Sequence, residues 1–310
     1  MKVLVTGGAG FIGSNIVDEY INNNYEVVIV DSLETGRQSN INPNAKFYKM
    51  DIRDPNLESV FRDEKPQIVN HHAAQMDVRR SVSDPKYDAD VNVVGSLNVL
   101  ELSRKYQVSR ILYSSSGGTV YGEPVYLPCD EKHPIRPICP YGATKYIFEV
   151  YLDMYKFMYG MDFTVFRYPN IYGPRQDPHG EAGVVAIFTG LMLNSKPVTI
   201  NGDGKQQRDF VYVKDIARAN LMGSSKQTGS GIYNLGSSVA TDVNQIFDEL
   251  KSITQYPLDA LHGPAKLGET SKIYLTGDKA KLELGWEPSV SLHEGLQATV
   301  DYFRQKEVAL

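Results

Sequence analysis

Apolar and polar positions along the first half of the chain alternate between two rhythms. Short runs rich in branched residues, "KVLV" from Lys2, "EVVIVD" from Glu26, "QIVNHHAA" ending at Ala73 and Ala74, "RILYSSS" from Arg110 and "DFTVFRYPN" from Asp162, read as strands. "FYKMDIRD" from Phe47 reads as a further strand, the third in chain order. Between them the apolar spacing becomes helical: Ile12, Ile16 and Tyr20 are four apart, and "DVNVVGSLNVLELSRKY" and "YGATKYIFEVYLDMYKFMY" predict two long helices. Strand and helix alternating through about residue 170 predicts an α/β fold, a doubly wound parallel sheet with ligands at the carboxyl ends of its strands.

The second half is less regular. "YGPRQDPHGEAG" predicts a long loop, "VVAIFTGLMLNSK" a helix, and "PVTINGDGKQQRDFVYVKDIARANL" a strand, a turn and a return to helix. Further helices are expected from Asp242 and from Leu292, the latter ending near Tyr302. No repeat or low-complexity linker divides the chain, so a smaller C-terminal α/β domain should be woven from segments that leave the first domain and return. The expected division is 1–170 with a return segment at about 210–236, against 171–209 and 237–310.

Composition narrows the function classes. The chain has 310 residues, 42% of them hydrophobic, enough for a substantial core. A formal charge of -5 argues against a broad nucleic-acid surface, so an anionic ligand must be held by local features. Cys129 and Cys139 form neither a disulfide framework nor a metal knuckle and read as reduced thiols of a cytoplasmic protein. The opening apolar run is too short for a signal segment, and no stretch long enough to span a membrane follows. His71 and His72 are neighbours on a strand and point to opposite faces, which favours packing over metal binding; no metal is expected.

The strongest local signal is "VTGGAGFIGSN". Gly7 allows a tight turn, Gly10 lets backbone approach a pyrophosphate, and Gly13 lets the helix lie close to the sheet. A strand precedes the glycines and a helix beginning at Phe11 and Ile12 follows, with its N-terminal N–H groups and positive dipole. Asp31 stands eighteen residues beyond Gly13, at the end of the second strand, where a carboxylate can accept from both ribose hydroxyls. It would repel a 2'-phosphate, and the nearest following arginine is Arg37, so NAD is expected rather than NADP. This is the pattern of an NAD-binding Rossmann domain. Asp51 and Ile52 should border the adenine, although Asp51 could instead cap the helix that follows. Further cofactor contacts are expected at strand ends, Ala73, Ala74, Gln75, Ser114 and Tyr168, with Asn92 on the helix between.

Two pairs place a tyrosine four residues before a lysine: Tyr141 and Lys145 in "PYGATK", and Tyr302 and Lys306 in "YFRQK". Either spacing shares a helix face. Only Tyr141 starts a helix after a parallel-sheet strand, where it can reach the carboxyl edge. A free tyrosine titrates near pH 10, so an adjacent ammonium and a positive nicotinamide are needed to make it a base at neutral pH.

In order and spacing, "TGGAGFIG", "SSSGGTVYG", "PYGATK", "RYPNIYGPRQ", "NGDGKQQRDFVYVKD" and "LGWEPSVSLHEGL" resemble the extended short-chain dehydrogenase/reductase family, across nearly the whole chain. Within it they are most similar to the nucleotide-sugar 4-epimerases that act on UDP-glucose and UDP-galactose. The resemblance implies that Tyr141 takes the proton of a sugar 4-hydroxyl as hydride passes to NAD. A 4-keto sugar then turns over and is reduced on its other face, with NAD retained throughout. It implies Ser116 as the assisting hydroxyl, with Ser115 as the alternative because the segment carries an extra glycine.

For substrate, the resemblance implies diphosphate contacts from Asn170 and Arg208, a uracil site near Gly183, Val184 and Val185, and contacts from Lys266 and Glu269, which depart from the family's Arg and Asp. Pro169 also departs from the usual residue. Ile273 falls where a bulky residue limits the substituent at sugar C2, leaving N-acetylhexosamines open. Gly117 and Gly118 lack the Asp-Glu pair of sugar dehydratases, and Thr119 stands where decarboxylases carry Glu. A UDP-glucuronate 4-epimerase, another nucleotide-sugar enzyme and a non-catalytic NAD sensor remain as alternatives. The resemblance also implies a homodimer through the helices from Asp90 and Tyr141, whose apolar residues Val94, Leu97, Phe148, Tyr151 and Tyr155 exceed what one sheet face requires.

Overall fold

Six strands, β1 (Lys2–Thr6), β2 (Glu26–Asp31), β3 (Lys46–Lys49), β4 (Ile68–His71), β5 (Arg110–Ser116) and β6 (Asp162–Tyr168), join the strand Gly231–Asn234 in one parallel sheet. The computed structural model describes residues 1–179, 183–225, 228–265 and 270–306. The sheet order is Gly231–Asn234, β6, β5, β4, β1, β2, β3. Leu4 of β1 therefore pairs with Val28 on one side and Val69 on the other. The chain leaves β1 through β2 and β3 in one direction and resumes at β4 in the other. That reversal opens a crevice at the carboxyl ends of β1 and β4.

Both faces of the sheet are covered, which is why its strands read as continuous apolar runs. Val3, Val5, Val27 and Ile29 face Ile16, Val17 and Tyr20 of helix α1 (Phe11–Asn22). Leu4, Val28, Val30, Val69 and Ile111 face the opposite layer, with Phe61 of α2 (Leu57–Glu64) and residues of the long helices below. After α3 (Val78–Ser83), one helical path runs as α4 (Pro85–Ala89), a π-helical stretch (Asp90–Gly95) and α5 (Ser96–Lys105). Helix α6 (Pro140–Tyr159) has proline at its first position and ends at Gly160, whose φ of 70° suits the left-handed cap.

Three predicted strands are shorter than expected; β6 ends at Tyr168, before Pro169, and Asn170 opens a separate strand. β3 stops at Lys49 because the Asp51 carboxylate turns back to accept from Arg53 N at 2.8 Å, a local turn that competes with the ladder. β4 stops at His71, and Ala73 and Ala74 lie beyond it, Ala73 N donating to the Thr6 side chain instead.

In the second half Asn170–Tyr172 pairs in parallel with Phe210–Tyr212, while Gln207–Arg208 lies between Thr241–Asp242 and Lys272–Ile273. Helices Val184–Leu193, Val243–Thr254 and Leu292–Lys306 enclose their own core around Phe188, Phe247, Leu296 and Val300. Asp242 begins the second of these through a reciprocal capping box with Gln245. The last helix continues beyond Tyr302 to Lys306, and Asp278–Leu284 is a helix that the apolar pattern did not predict. Among the described residues no helix is long and apolar enough to cross a membrane.

Candidate active site

The glycine loop lies at the reversal point between β1 and β4. Gly7 has φ 70°, and a Cβ there would stand 2.7 Å from Ala73 N, so only glycine lets the two strand ends meet. A Cβ on Gly13 would fall 2.2 Å from Gly7 O, which fixes α1 against the turn. Gly10 is the N-cap of α1 and has no side chain to satisfy the first-turn N–H groups. A backbone cradle with open donors and a positive helix end suits a pyrophosphate, so the loop passes a steric and chemical test for a dinucleotide.

Asp31 closes this end of the crevice. It is 7% exposed, and its two carboxylate oxygens accept from Ala9 N at 2.9 Å and Leu33 N at 2.8 Å. Gly36 packs so close that a Cβ would touch the carboxylate, and Arg37 pairs with Asp177 at 2.7 Å. Asp51 is not a helix cap; Asn56 holds that position, and Asp51 pairs with Arg53 at 2.7 Å. The Arg53 guanidinium holds the Asp51 carboxyl below its usual range. Ile52 is buried in the sheet core.

At the end of β4, Gln75 N donates to Asn92 Oδ1 at 2.8 Å, and Asn92 Nδ2 returns to Gln75 O at 3.0 Å. Asn92 sits on the π-helical stretch, 1% exposed, so its side chain shapes the crevice wall through the loop it holds. His71 bridges Thr6 and Ser96, and His72 meets the Tyr168 hydroxyl at 2.8 Å. Burial, with Lys145 adding to it, pushes both imidazoles down, His72 to about 3, so both are neutral. Among the described residues no three His, Cys, Asp or Glu side chains cluster as metal ligands would.

Tyr141 and Lys145 occupy the first turns of α6. Lys145 is 3% exposed, donates to Ser114 O at 2.9 Å, and its nitrogen lies 5.7 Å from the centre of the Tyr141 ring. Burial pushes the Lys145 ammonium down to about 8, against the pull of Asp88 and Glu149. It thus remains charged at neutral pH beside the phenol. Ser114 Oγ donates to His71 O, and Ser115 Oγ donates to Glu149. Ser116 is the partly exposed residue at the end of β5. By contrast Tyr302 and Lys306 lie on a peripheral helix with Lys306 exposed.

Beyond Ser116 a hollow too tight to admit water is lined by Gly117, Gly118, Pro169, Asn170, Ile273 and Leu275. The fold thus brings Asn170 and Ile273, 103 residues apart, to the same end of β5. Arg208 pairs in the strand beside Ile273, its Nη1 donating to Gln207 O. Gly183 caps helix Val184–Leu193. Val184 is partly buried, and the Val185 side chain is packed in the second core, so it can meet a ligand only through its backbone. The Tyr168 hydroxyl is held between His72 and Asn220. Lys266 and Glu269 lie outside the described residues.

Residues 3–236 match the family described as "NAD dependent epimerase/dehydratase family". The chain belongs to the NAD-dependent epimerase/dehydratase family. It is 48% identical to a putative UDP-glucose 4-epimerase of Methanocaldococcus jannaschii, over 97% of this chain and 98% of that one. It is 40% identical to a UDP-glucose 4-epimerase of Mycolicibacterium smegmatis, over 99% of each. The structure resembles that of Thermotoga maritima UDP-glucose 4-epimerase with UDP-glucose at a TM-score of 0.97 and 48% identity, covering 99% of this chain and all of that one. A UDP-N-acetylglucosamine 4-epimerase of Methanobrevibacter ruminantium, in complex with UDP-N-acetylmuramic acid, matches at 0.93 and 32%, with 98% of each covered. NAD, expected from the glycine loop and Asp31, is the cofactor in the family's description.

Several residues of this epimerase/dehydratase site escaped the reading of the sequence. Asp88 is fully buried and accepts from Gln75, Asn92 and Thr144. Glu149 is ion-paired to Arg167 at 2.6 Å, both inaccessible, and Arg167 continues to the Tyr121 hydroxyl. Asp209, in the hollow, accepts from Ser237 N and Leu275 N, and burial raises it to about 6. Asp88 stands four residues before Asn92 and Glu149 four after Lys145, helical spacings that could have drawn attention to both.

Proposed function

We propose that the chain inverts C4 of a UDP-hexose, interconverting UDP-glucose and UDP-galactose through a transient 4-keto sugar. The observation that carries the reading is the Tyr141–Lys145 pair at the start of α6, facing a β5 end whose neighbours Gly117 and Gly118 offer no acid or base. When bound, NAD supplies reversible hydride acceptance. Tyr141 holds and returns the proton of the sugar 4-hydroxyl, and Lys145 lowers the cost of its phenolate. Ser116, the partly exposed hydroxyl at the strand end, takes the assisting role over Ser115, whose hydroxyl is committed to Glu149. Asn170 and Arg208 hold the diphosphate, Arg by its planar fork. The names of relatives along nearly the full chain support this substrate class.

We place NAD on the first fold and the sugar nucleotide on the second, and the separate core around Phe188, Phe247 and Leu296 supports two units; their boundary is less clean than the division given above, because Ala280 and Trp286 pack in the first core and Tyr212 and Val213 in the second. Ile273, which lines the hollow, favours N-acetylhexosamine forms as a second substrate class. We infer a cytoplasmic homodimer. Its support is an apolar face on α6, where Ile147, Val150, Met154, Phe157 and Met158 are exposed, with Val94 nearby in sequence order on the preceding helix. Phe148, by contrast, belongs to the sheet core, and Leu97, Tyr151 and Tyr155 pack against it.

The test is incubation with UDP-glucose, UDP-galactose, their N-acetyl forms and UDP-glucuronate, with products followed by NMR and Tyr141→Phe as control. Epimer formed by the wild type and abolished in the variant is expected. No epimer from any sugar would overturn the reading, and full activity in Tyr141→Phe would overturn the role of Tyr141. Accumulation of a 4-keto sugar with NADH as the main outcome would make the chain a dehydrogenase.

A further inference from the structure

The Lys145 ammonium is held out of solvent. It donates to a neutral acceptor, Ser114 O, and burial works against its charge. The groups that face it are Tyr113 of β5, His71 and His72 at the end of β4, Tyr141 and Glu149 of α6, and Asp88 of α4. Both histidines are neutral, and the groups among them that favour the ammonium are the carboxyl groups of Asp88 and Glu149. Glu149 already has a partner, because Arg167 spans both its oxygens at 3.1 and 2.6 Å. Among the described residues Asp88 is in no ion pair; its contacts are to neutral donors, Gln75 Nε2 at 2.8 Å, Asn92 Nδ2 at 3.1 Å and Thr144 Oγ1 at 2.8 Å. It is fully buried, and Thr144 adjoins Lys145 in the chain.

We propose that Asp88 is a positioning residue for Lys145: its buried carboxylate ties the first turn of α6 to the π-helical stretch and keeps the Lys145 ammonium charged beside Tyr141. A buried carboxylate with three hydrogen bonds but no bonded cation is otherwise a costly feature. Its field acts on Lys145, the chain neighbour of the Thr144 that donates to it. The same carboxylate locks Asn92 and Gln75, so the crevice wall at the end of β4 and the catalytic pair on α6 share one anchor. This inference rests on the proposed role of Lys145, and the epimerase reading can fail without it.

Asp88→Asn is the suitable perturbation. It removes the charge and preserves shape, and Thr144 Oγ1 can donate to Tyr141 O, 3.0 Å away, while accepting from the new amide. In the NAD-bound protein with carbon-13 at lysine Cε, the Lys145 resonance, assigned by its loss in Lys145→Met, should titrate on the order of one pH unit lower in Asp88→Asn than in the wild type. The alkaline limb of kcat should move down by the same interval, with KM unchanged at neutral pH. An unmoved Lys145 midpoint in a folded Asp88→Asn protein overturns the proposal. Should that variant not fold, carboxyl carbon-13 spectra of the wild type decide: an ionised Asp88 at pH 7 supports the proposal and a protonated one overturns it. If no sugar is epimerised yet the Lys145 midpoint shifts, the function is wrong and the role of Asp88 stands.

Discussion

Replacing Lys145 with methionine should stabilise the cofactor-free fold at neutral pH while abolishing turnover. The side chain is 3% exposed, and burial lowers its ammonium from the ordinary 10.5 to about 8. At about 1.4 kcal/mol per pH unit, that difference makes the charged form cost roughly 3 kcal/mol in the folded state. Losing the bond to Ser114 O returns about 1 kcal/mol, so a net gain on the order of 2 kcal/mol is expected near pH 7. The sign of the pH dependence follows from proton counts. Between about pH 8 and 10.5 the unfolded lysine binds more protons than the folded one, so wild-type stability rises with pH through that window. Below about pH 8 both states are protonated and the penalty is constant. Urea unfolding of both proteins at half-unit pH steps gives the wild-type-minus-variant difference, in which every other group cancels. That difference should climb by roughly 3 kcal/mol across the window. A flat difference would refute the claim that burial, and not a hidden partner, sets the charge state of Lys145.

Arg167→Met should destabilise by about 3–5 kcal/mol, because it leaves Glu149 inaccessible and unpaired, and adding Glu149→Leu should recover most of the loss; equal melting points for the single variant and wild type would contradict this. Gly13→Ala should remain folded but lose NAD as purified, since its Cβ would overlap Gly7 O; the cofactor released on denaturation measures the outcome, and wild-type content would count against the cradle. Phe157→Asp places a charge at a ring that is 92% exposed and should give a monomer by light scattering, an unchanged oligomer arguing that this helix face is not the contact. Ile273→Tyr should lower kcat/KM for UDP-N-acetylhexosamines roughly tenfold relative to UDP-glucose. Equal losses on both sugars would sever Ile273 from the choice at C2.

What the chain discloses in advance depends on how local the cause is. β1, β2, β5 and β6 were legible because their apolar runs are long and each is buried on both faces. β3 and β4 ended early for reasons that lie in side chains turning back on the backbone, Asp51 onto Arg53 and Thr6 onto Ala73, and periodicity is blind to both. The glycine loop was legible in more detail, since each glycine answers to a contact within ten residues or to the neighbouring strand end. Val185 and Tyr168 were placed near ligands by their position after a loop and at a strand end. Which way their side chains turn is decided by the second core and by Asn220, both remote in sequence.

The tyrosine and lysine of α6 illustrate why spacing alone falls short of chemistry. Tyr302 and Lys306 have the same separation on a helix, yet Lys306 ends in solvent, where its ammonium needs nothing from the fold. Lys145 is enclosed by β5, by two neutral histidines and by a carboxylate delivered from a different helix, so its charge has a cost and can therefore be used. That difference is created by Asp88, Ser114 and Glu149, of which only Glu149 is a helical neighbour of the pair. A charged group becomes a means of tuning a phenol when its own ionisation is held in balance by burial and opposing charge, and the residues that hold this balance come from β5, α4 and α6 together.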